Sequence, residues 1–284
     1  MIHYSSHSEN FGKFPAEDTF AYISRLGFLG IDVAARSLAP QAAVLANPER
    51  EAAVLKALSE KYNLKLWELF FGSVELNGSS IEMSADNRAI KDDISRNFDT
   101  ICRFTRLAGF NSIMTSAGSE NASIGFDKSF ENAAEMHRLL MKIANDNGVK
   151  YHVEPSRTSL LNTPEQALKM TEAAPGLKYT LDFLHYQISA TPQKESMKLI
   201  PHAGHMHARQ AKTGVGKSFY HEGEIDFDEV VKGLYENKWE GCICMEFWND
   251  PPLEALGIDA LEQNMLMKYE LRRLVKKYYG VMTR

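Results

Sequence analysis

Cysteine is scarce, with only Cys102, Cys242 and Cys244 among 284 residues. Three thiols cannot all pair within one chain, which points to a reducing compartment rather than a disulfide-built scaffold. Cys242 and Cys244 are one residue apart, too close for a zinc-ribbon spacing, and no second pair exists to complete one. Long apolar runs are missing too, and none approaches the ~20 residues that a membrane-crossing helix needs. The opening MIHYSSHSEN has neither a basic nor an apolar segment, so no secretory signal is read there and a cytoplasmic location is expected. Basic excess is also absent. A formal net charge of −5 gives no general attraction to nucleic acid or anionic membrane, and neither is expected as a partner. No proline-rich or serine-rich linker divides the chain, so one domain over residues 1–284 is expected. A content of 44% hydrophobic and 24% charged residues is that of a globular protein with a substantial core.

What is present is repetition. Short β-branched or apolar runs at about 1–4, 29–34, 65–70, 112–115, 150–154, 178–182, 204–208 and 242–247 read as strands. Between them lie stretches of helical period, such as AEDTFAYISRLG and FENAAEMHRLLMKIANDNG, several ending in glycine as helices do. TPEQALKM supplies a helix start, with Thr163 as cap, Pro164 first and Gln166 third. A last helix is expected over about 253–279. Eight strand–helix units in this length predict a single (β/α)8 TIM barrel. The rival, a doubly wound open sheet, would favour a glycine-rich turn after the first strand, and HYSSHSENFGKF is not one.

In such barrels chemistry sits where strands end. Strand five, KYHVE, ends at Glu154, and strand six, KYTLD, ends at Asp182 with His185 three residues on. Strand seven, GHMHARQ, carries His205, His207 and Arg209, and strand eight, GCICMEF, carries Glu246. Side chains alternate along a strand, so Glu154, Asp182, His207 and Glu246 converge if all face inward. Three carboxylates cannot stay ionised together without compensation, and a divalent cation supplies it. Oxygen-rich ligation with one nitrogen suits Mn²⁺, Mg²⁺ or Co²⁺, with Zn²⁺ also possible. His205, one pleat below His207, reads as a core histidine, and His152 fits either packing or a substrate contact. Cys242 and Cys244 read as small barrel-filling residues.

At these residues the sequence resembles the xylose isomerase-like TIM-barrel superfamily, in its sugar phosphate isomerase/epimerase branch. VEPSRTSLLNTPEQAL resembles the family's strand-five glutamate and following helix, and LDFLHY its Asp-x-x-His motif. HARQ resembles the His-x-Lys/Arg-Asp motif, and GEIDFDEVVKGLYENKWEGCICMEF the stretch closing on a glutamate. The resemblance implies that Glu154, Asp182, His207 and Glu246 bind the metal, and that Glu154 and Glu246 are the catalytic acid–base pair. It also implies that His185 and Arg209 contact substrate oxygens. The chemistry would be proton transfer beside a carbonyl through a metal-stabilised enediolate, giving epimerisation or isomerisation of a small sugar or polyol. Relatives are often homodimers or homotetramers. Three positions depart from the pattern: Asp32 in GFLGIDVAA replaces a usual glutamate, Gln210 a common aspartate, and Ser156 a frequent histidine.

Loss of a β-hydroxyl would instead make a dehydratase, like the inosose dehydratase relatives. An endonuclease IV-like repair enzyme would need further histidines, which LWELFFG and IMTSAG lack. A non-catalytic sugar-binding barrel has no use for three converging carboxylates. Finally, AKTGVGKS at 211–218 nearly spells a phosphate-binding P-loop, but FYHEGEIDF follows it where a helix should open. The next helix is expected near Asp226. As the loop after strand seven, it offers Lys217 to an anionic part of the substrate.

Overall fold

The computed structural model describes residues 1–12, 14–248, 255 and 257–280. The barrel strands are β1 (Ile2–His7), β2 (Gly30–Ala34), β3 (Lys65–Gly72), β4 (Ser112–Ser116), β5 (Lys150–Glu154), β6 (Lys178–Asp182), β7 (Ala203–Ala208) and β8 (Gly241–Met245). All neighbouring pairs are parallel, and the sheet closes in the order β1-β8-β7-β6-β5-β4-β3-β2. The fold is the TIM barrel that the eightfold count predicts.

The main helices are α1 (Ala16–Arg25), α2 (Pro48–Tyr62), α3 (Lys91–Ala108), α4 (Gly125–Asp146), α5 (Pro164–Ala173), α6 (Phe183–Ile188), α7 (Phe227–Glu236) and α8 (Ala260–Tyr279). Each longer helix turns one apolar stripe to the barrel. In α3 the stripe is Ile94, Phe98, Ile101, Phe104 and Ala108, spaced by three or four residues and buried. α5 starts as its sequence dictates. Thr163 accepts from the Gln166 N–H and the Gln166 side chain accepts from the Thr163 N–H, both at 3.2 Å. α7 begins behind the Asp226 cap, and Asp259 caps α8. The last helix, expected from about residue 253, begins only at Ala260: residue 253 itself lies outside the described residues, but Gly257 with φ of 70°, Ile258 and the capping Asp259 are not helical. No helix among the described residues is long and apolar enough to cross a membrane.

Two elements differ from the sequence reading. β1 continues past Tyr4 to His7, because the barrel interior is polar here and receives Ser5 and His7 as readily as an apolar pair. A short hairpin, Glu75–Leu76 against Ser79–Ser80, follows β3. Asn77 and Gly78 form its turn with φ of 52° and 77°. Both positive angles suit the tight turn that Asn-Gly favours, so the signal was in the sequence.

Candidate metal and substrate centre

Two polar tiers fill the upper barrel, and the alternation of side chains sets which residue joins which. The lower tier holds Asp32, Glu68, His152, Thr180 and His205, all buried. Asp32 accepts from Ser5 Oγ at 2.7 Å and pairs with His205 Nε2 at 2.6 Å. Glu68 accepts from Ser112 Oγ at 2.8 Å and Thr180 Oγ1 at 2.6 Å, and meets His152 Nδ1 at 2.6 Å. Burial works against the Glu68 charge, but His205 and His152 outweigh it and hold the carboxyl well below its ordinary range. Burial also works against a charge on His205, and Asp32 with Glu68 outweighs it, raising that imidazole. Three hydroxyls and two imidazoles thus saturate the two carboxylates of this tier.

Two residues further along the same strands stand Glu154, Asp182 and His207, with Glu246 one residue beyond β8. Asp182 and His207 are register partners, so they face the same side. Glu246 keeps its place by donating its backbone N–H to the Ala208 carbonyl at 3.2 Å. One ligand atom from each of the four lies within 4.8 Å of all the others. The structure therefore brings together the four residues expected as ligands. His207 Nδ1 is 3.0 Å from both Glu154 Oε1 and Glu246 Oε2, while its Nε2 looks down to Asp32 Oδ2 at 3.9 Å. Burial disfavours the imidazolium, yet Glu246 and Glu154 override it and raise His207 well above its usual value.

Arg209, one pleat above His207, is buried as well. Its Nε and Nη2 reach Asp182 Oδ2 at 2.9 and 2.7 Å, and Nη2 lies 3.1 Å from Glu246 Oε2. Burial alone would push the Glu246 carboxyl up, but Arg209 and His207 drive it well below its ordinary range. Gln210, where the family commonly has aspartate, spends its amide on the Ile225 backbone, donating at 2.9 Å and accepting at 3.2 Å.

The donor set fits a divalent cation. Adjacent ligands of an octahedral ion with bonds of about 2.1 Å stand about 3 Å apart, the spacing of Glu154 and Glu246 about His207 Nδ1. Glu246 Oε2 is buried and meets His207 Nδ1 and Arg209 Nη2 at 3.0 and 3.1 Å as charge contacts, neither of which has hydrogen-bond geometry among the described residues, so it remains open to a cation. Three carboxylates against one guanidinium leave two negative charges, which one divalent ion neutralises with a neutral imidazole as ligand.

Around this centre the expected substrate contacts separate. His185 lies in α6 with Nε2 3.9 Å from Glu154 Oε1, and both ring nitrogens lack hydrogen-bond partners among the described residues. Lys217 donates to the Trp248 carbonyl at 3.4 Å, with its ammonium 5.7 Å from the Trp248 ring centroid. Arg209 joins the carboxylates rather than standing apart from them. His152 does not join the group, being bonded to Glu68 a tier below. Gly204 is what admits it there, since a Cβ at that position would collide with the His152 ring.

Other residues of the centre escape sequence reasoning. Trp248 donates Nε1–H to Glu246 Oε1 at 2.9 Å. Phe70, two residues before the end of β3, and His7, at the end of β1, pack beside it. Glu68 had a signal, because a lone acid inside the apolar run LWELFFG must find buried partners. His7 had a weaker one, the alternation of polar His3, Ser5 and His7 along β1. The loop at 211–218 opens no helix. Lys212 and Val215 exchange backbone bonds of 3.1 and 2.8 Å, and α7 begins only at Phe227.

The sequence matches the model of the xylose isomerase-like TIM barrel family over residues 20–272. The chain belongs to this family. No curated protein matches it by sequence. Among solved structures, this xylose isomerase-like barrel is similar to an L-ribulose 3-epimerase, with a TM-score of 0.74 at 16% identity, covering 100% of this chain and 99% of the other. A D-psicose 3-epimerase gives 0.72 at 14% identity, covering 98% and 100%. The probable 3-DHS dehydratase AsbF of Bacillus anthracis gives 0.69 at 18% identity, covering 93% and 98%. At such identities the likeness is one of fold, and the xylose isomerase-like frame leaves the reaction to be argued from the centre itself.

Proposed function

We propose that this barrel is a divalent-metal-dependent isomerase or epimerase of a small sugar, polyol or keto-sugar. The observation that carries the reading is the pair Glu154 and Glu246, which arrive from β5 and the end of β8 and flank one imidazole nitrogen at 3.0 Å each. Two carboxylates on either side of one point suit removal of a proton beside a carbonyl and its return to the other face or the neighbouring carbon. Glu154, Asp182, His207 and Glu246 would hold the ion. When bound, it would supply Lewis acidity toward a carbonyl oxygen and offset the charge left as the proton departs.

The chain's own groups support the same chemistry. Arg209 keeps Glu246 in its charged form and holds Asp182 in place with Nη2 at 2.7 Å, and the Trp248 indole fixes the second Glu246 oxygen. In this reading His185 contacts a substrate oxygen beside Glu154, and Lys217 with Trp248 covers the site against water. His152 is left out of the substrate contacts and serves the lower tier.

A panel of ketoses, inososes and hydroxypyruvate in D2O, followed by NMR with Mg²⁺, Mn²⁺ or Co²⁺ supplied, tests the proposal. Deuterium entering a carbon next to the carbonyl is the expected result. Loss of a β-hydroxyl would move the assignment to a dehydratase. No exchange with any compound and any ion would contradict it.

A further inference from the structure

His7 is fully enclosed, with a relative exposure of 0%. Its Nδ1 accepts the backbone N–H of Glu9 at 3.3 Å. A nitrogen that accepts carries a lone pair, so the ring hydrogen belongs on Nε2. That Nε2 has no hydrogen-bond partner among the described residues. Folding rarely tolerates a buried donor with nothing to bond, because its lost hydration is uncompensated. Such a group is a reason to look for a missing acceptor.

The surroundings say where the acceptor belongs. The His7 ring stacks on Trp248 at 5.9 Å and meets Phe70 and His207 edge-on at 5.7 and 5.9 Å. Trp248 in turn bonds Glu246, and His207 belongs to the four-residue cluster. His7 therefore borders the centre on the β1–β8 side, while His185 stands by Glu154 on the β5–β6 side. Phe70 and Trp248, edge-to-face at 6.3 Å, form an aromatic wall beside it, with the cations of Arg36, Lys217 and Arg209 at 4.8, 5.7 and 5.9 Å from the Trp248 ring centroid. Such a wall takes the C–H face of a carbohydrate, and one aimed N–H fixes an oxygen at its rim.

We propose that His7 is a substrate contact, donating its Nε2–H to a hydroxyl or carbonyl oxygen of a polyol whose carbon face lies against Phe70 and Trp248. This rests on the reading of the centre as one that acts on hydroxylated substrates. An imidazole N–H bonds any oxygen acceptor, and in the proposed reaction that acceptor is an oxygen of the polyol or ketose.

The test uses the Mg²⁺-loaded protein, with ribitol and dihydroxyacetone as probes. Long-range ¹H–¹⁵N spectra of histidine-labelled protein should show the Nε2–H tautomer at His7, and its resonances should shift when either probe binds. Saturation-transfer NMR measures binding in parallel. His7→Phe keeps the packing and removes the donor, so it should retain the thermal midpoint and weaken probe binding about fivefold to tenfold. His7→Gln, which still carries an N–H, should recover most of that loss. An Nδ1–H tautomer, or probe binding unaltered in His7→Phe, would overturn the His7 assignment and leave the proposed function standing. Failure of wild-type protein to bind either probe would overturn both.

Discussion

Arg209 grips Asp182 with two nitrogens on one oxygen, Nε at 2.9 Å and Nη2 at 2.7 Å from Oδ2. The remaining Asp182 oxygen, Oδ1, accepts the Leu184 N–H at 2.9 Å, which starts α6 and so positions His185. One buried guanidinium thus ties a carboxylate of the cluster to the helix that carries its neighbour. Arg209→Met should leave Asp182 and Glu246 uncompensated and cost about 3–5 kcal/mol, the usual penalty for breaking a buried ion pair. Saturating Mg²⁺ should recover part of it, because the ion replaces the missing charge. Urea denaturation with and without Mg²⁺ measures both effects, and a loss below about 1 kcal/mol would contradict the role given to Arg209.

The lower tier depends on one close approach. Gly204→Ala drives a methyl group into the His152 ring and should destabilise the barrel by about 1–3 kcal/mol, the range for overpacked cores. Adding His152→Ala should leave the methyl harmless, so the double variant should suffer less than the sum of the two single ones. Additive losses in chemical denaturation would show that the two residues are not coupled.

His137, on α4 away from the centre, gives the protein an acid-sensitive joint. Burial pushes its imidazole down from 6.5 to about 4, although the Ala117 carbonyl pulls it upward. The ring meets Tyr151 Oη at 2.9 Å and the Ala117 oxygen at 3.3 Å. The unfolded chain therefore takes a proton near pH 6.5 while the folded one resists until about pH 4. This contribution is whole above the higher value and falls as pH drops through that window, by about 3 kcal/mol in all. His137→Gln should flatten the stability–pH curve between pH 6.5 and 4 relative to wild type. Parallel curves would contradict the assignment.

How much of this was legible in the sequence follows from what periodicity can carry. Eight alternating units gave the barrel, and inward residues at strand ends gave Glu154, Asp182, His207 and Glu246, because a period of two and a common end are enough to place them. Depth was legible along one strand, as His205 one pleat below His207 shows, but not from one strand to the next. His152 falls beside Lys178, the first residue of β6, and only the stagger between strands sets that level. The inward side of β1 was hidden because Ser-Ser-His resembles a loop until Asp32 is seen across from it. Trp248 lies beyond the last strand, where no period operates.

The loop Ala211-Lys-Thr-Gly-Val-Gly-Lys-Ser218 is built as a tight turn rather than a phosphate cradle. ATP with Mg²⁺ should leave the thermal midpoint where Mg²⁺ alone leaves it. A rise specific to the nucleotide would reopen the P-loop reading.

The central claim is metal-dependent proton transfer by Glu154 and Glu246, and deuterium incorporation from D2O into a turned-over ketose or inosose tests it most directly. Chelator-stripped protein should exchange no α-proton, reloading with Mg²⁺, Mn²⁺ or Co²⁺ should restore exchange, and Glu154→Gln and Glu246→Gln should lose it by about a hundredfold or more. Exchange that persists in the stripped protein, or in both glutamine variants, would contradict the account.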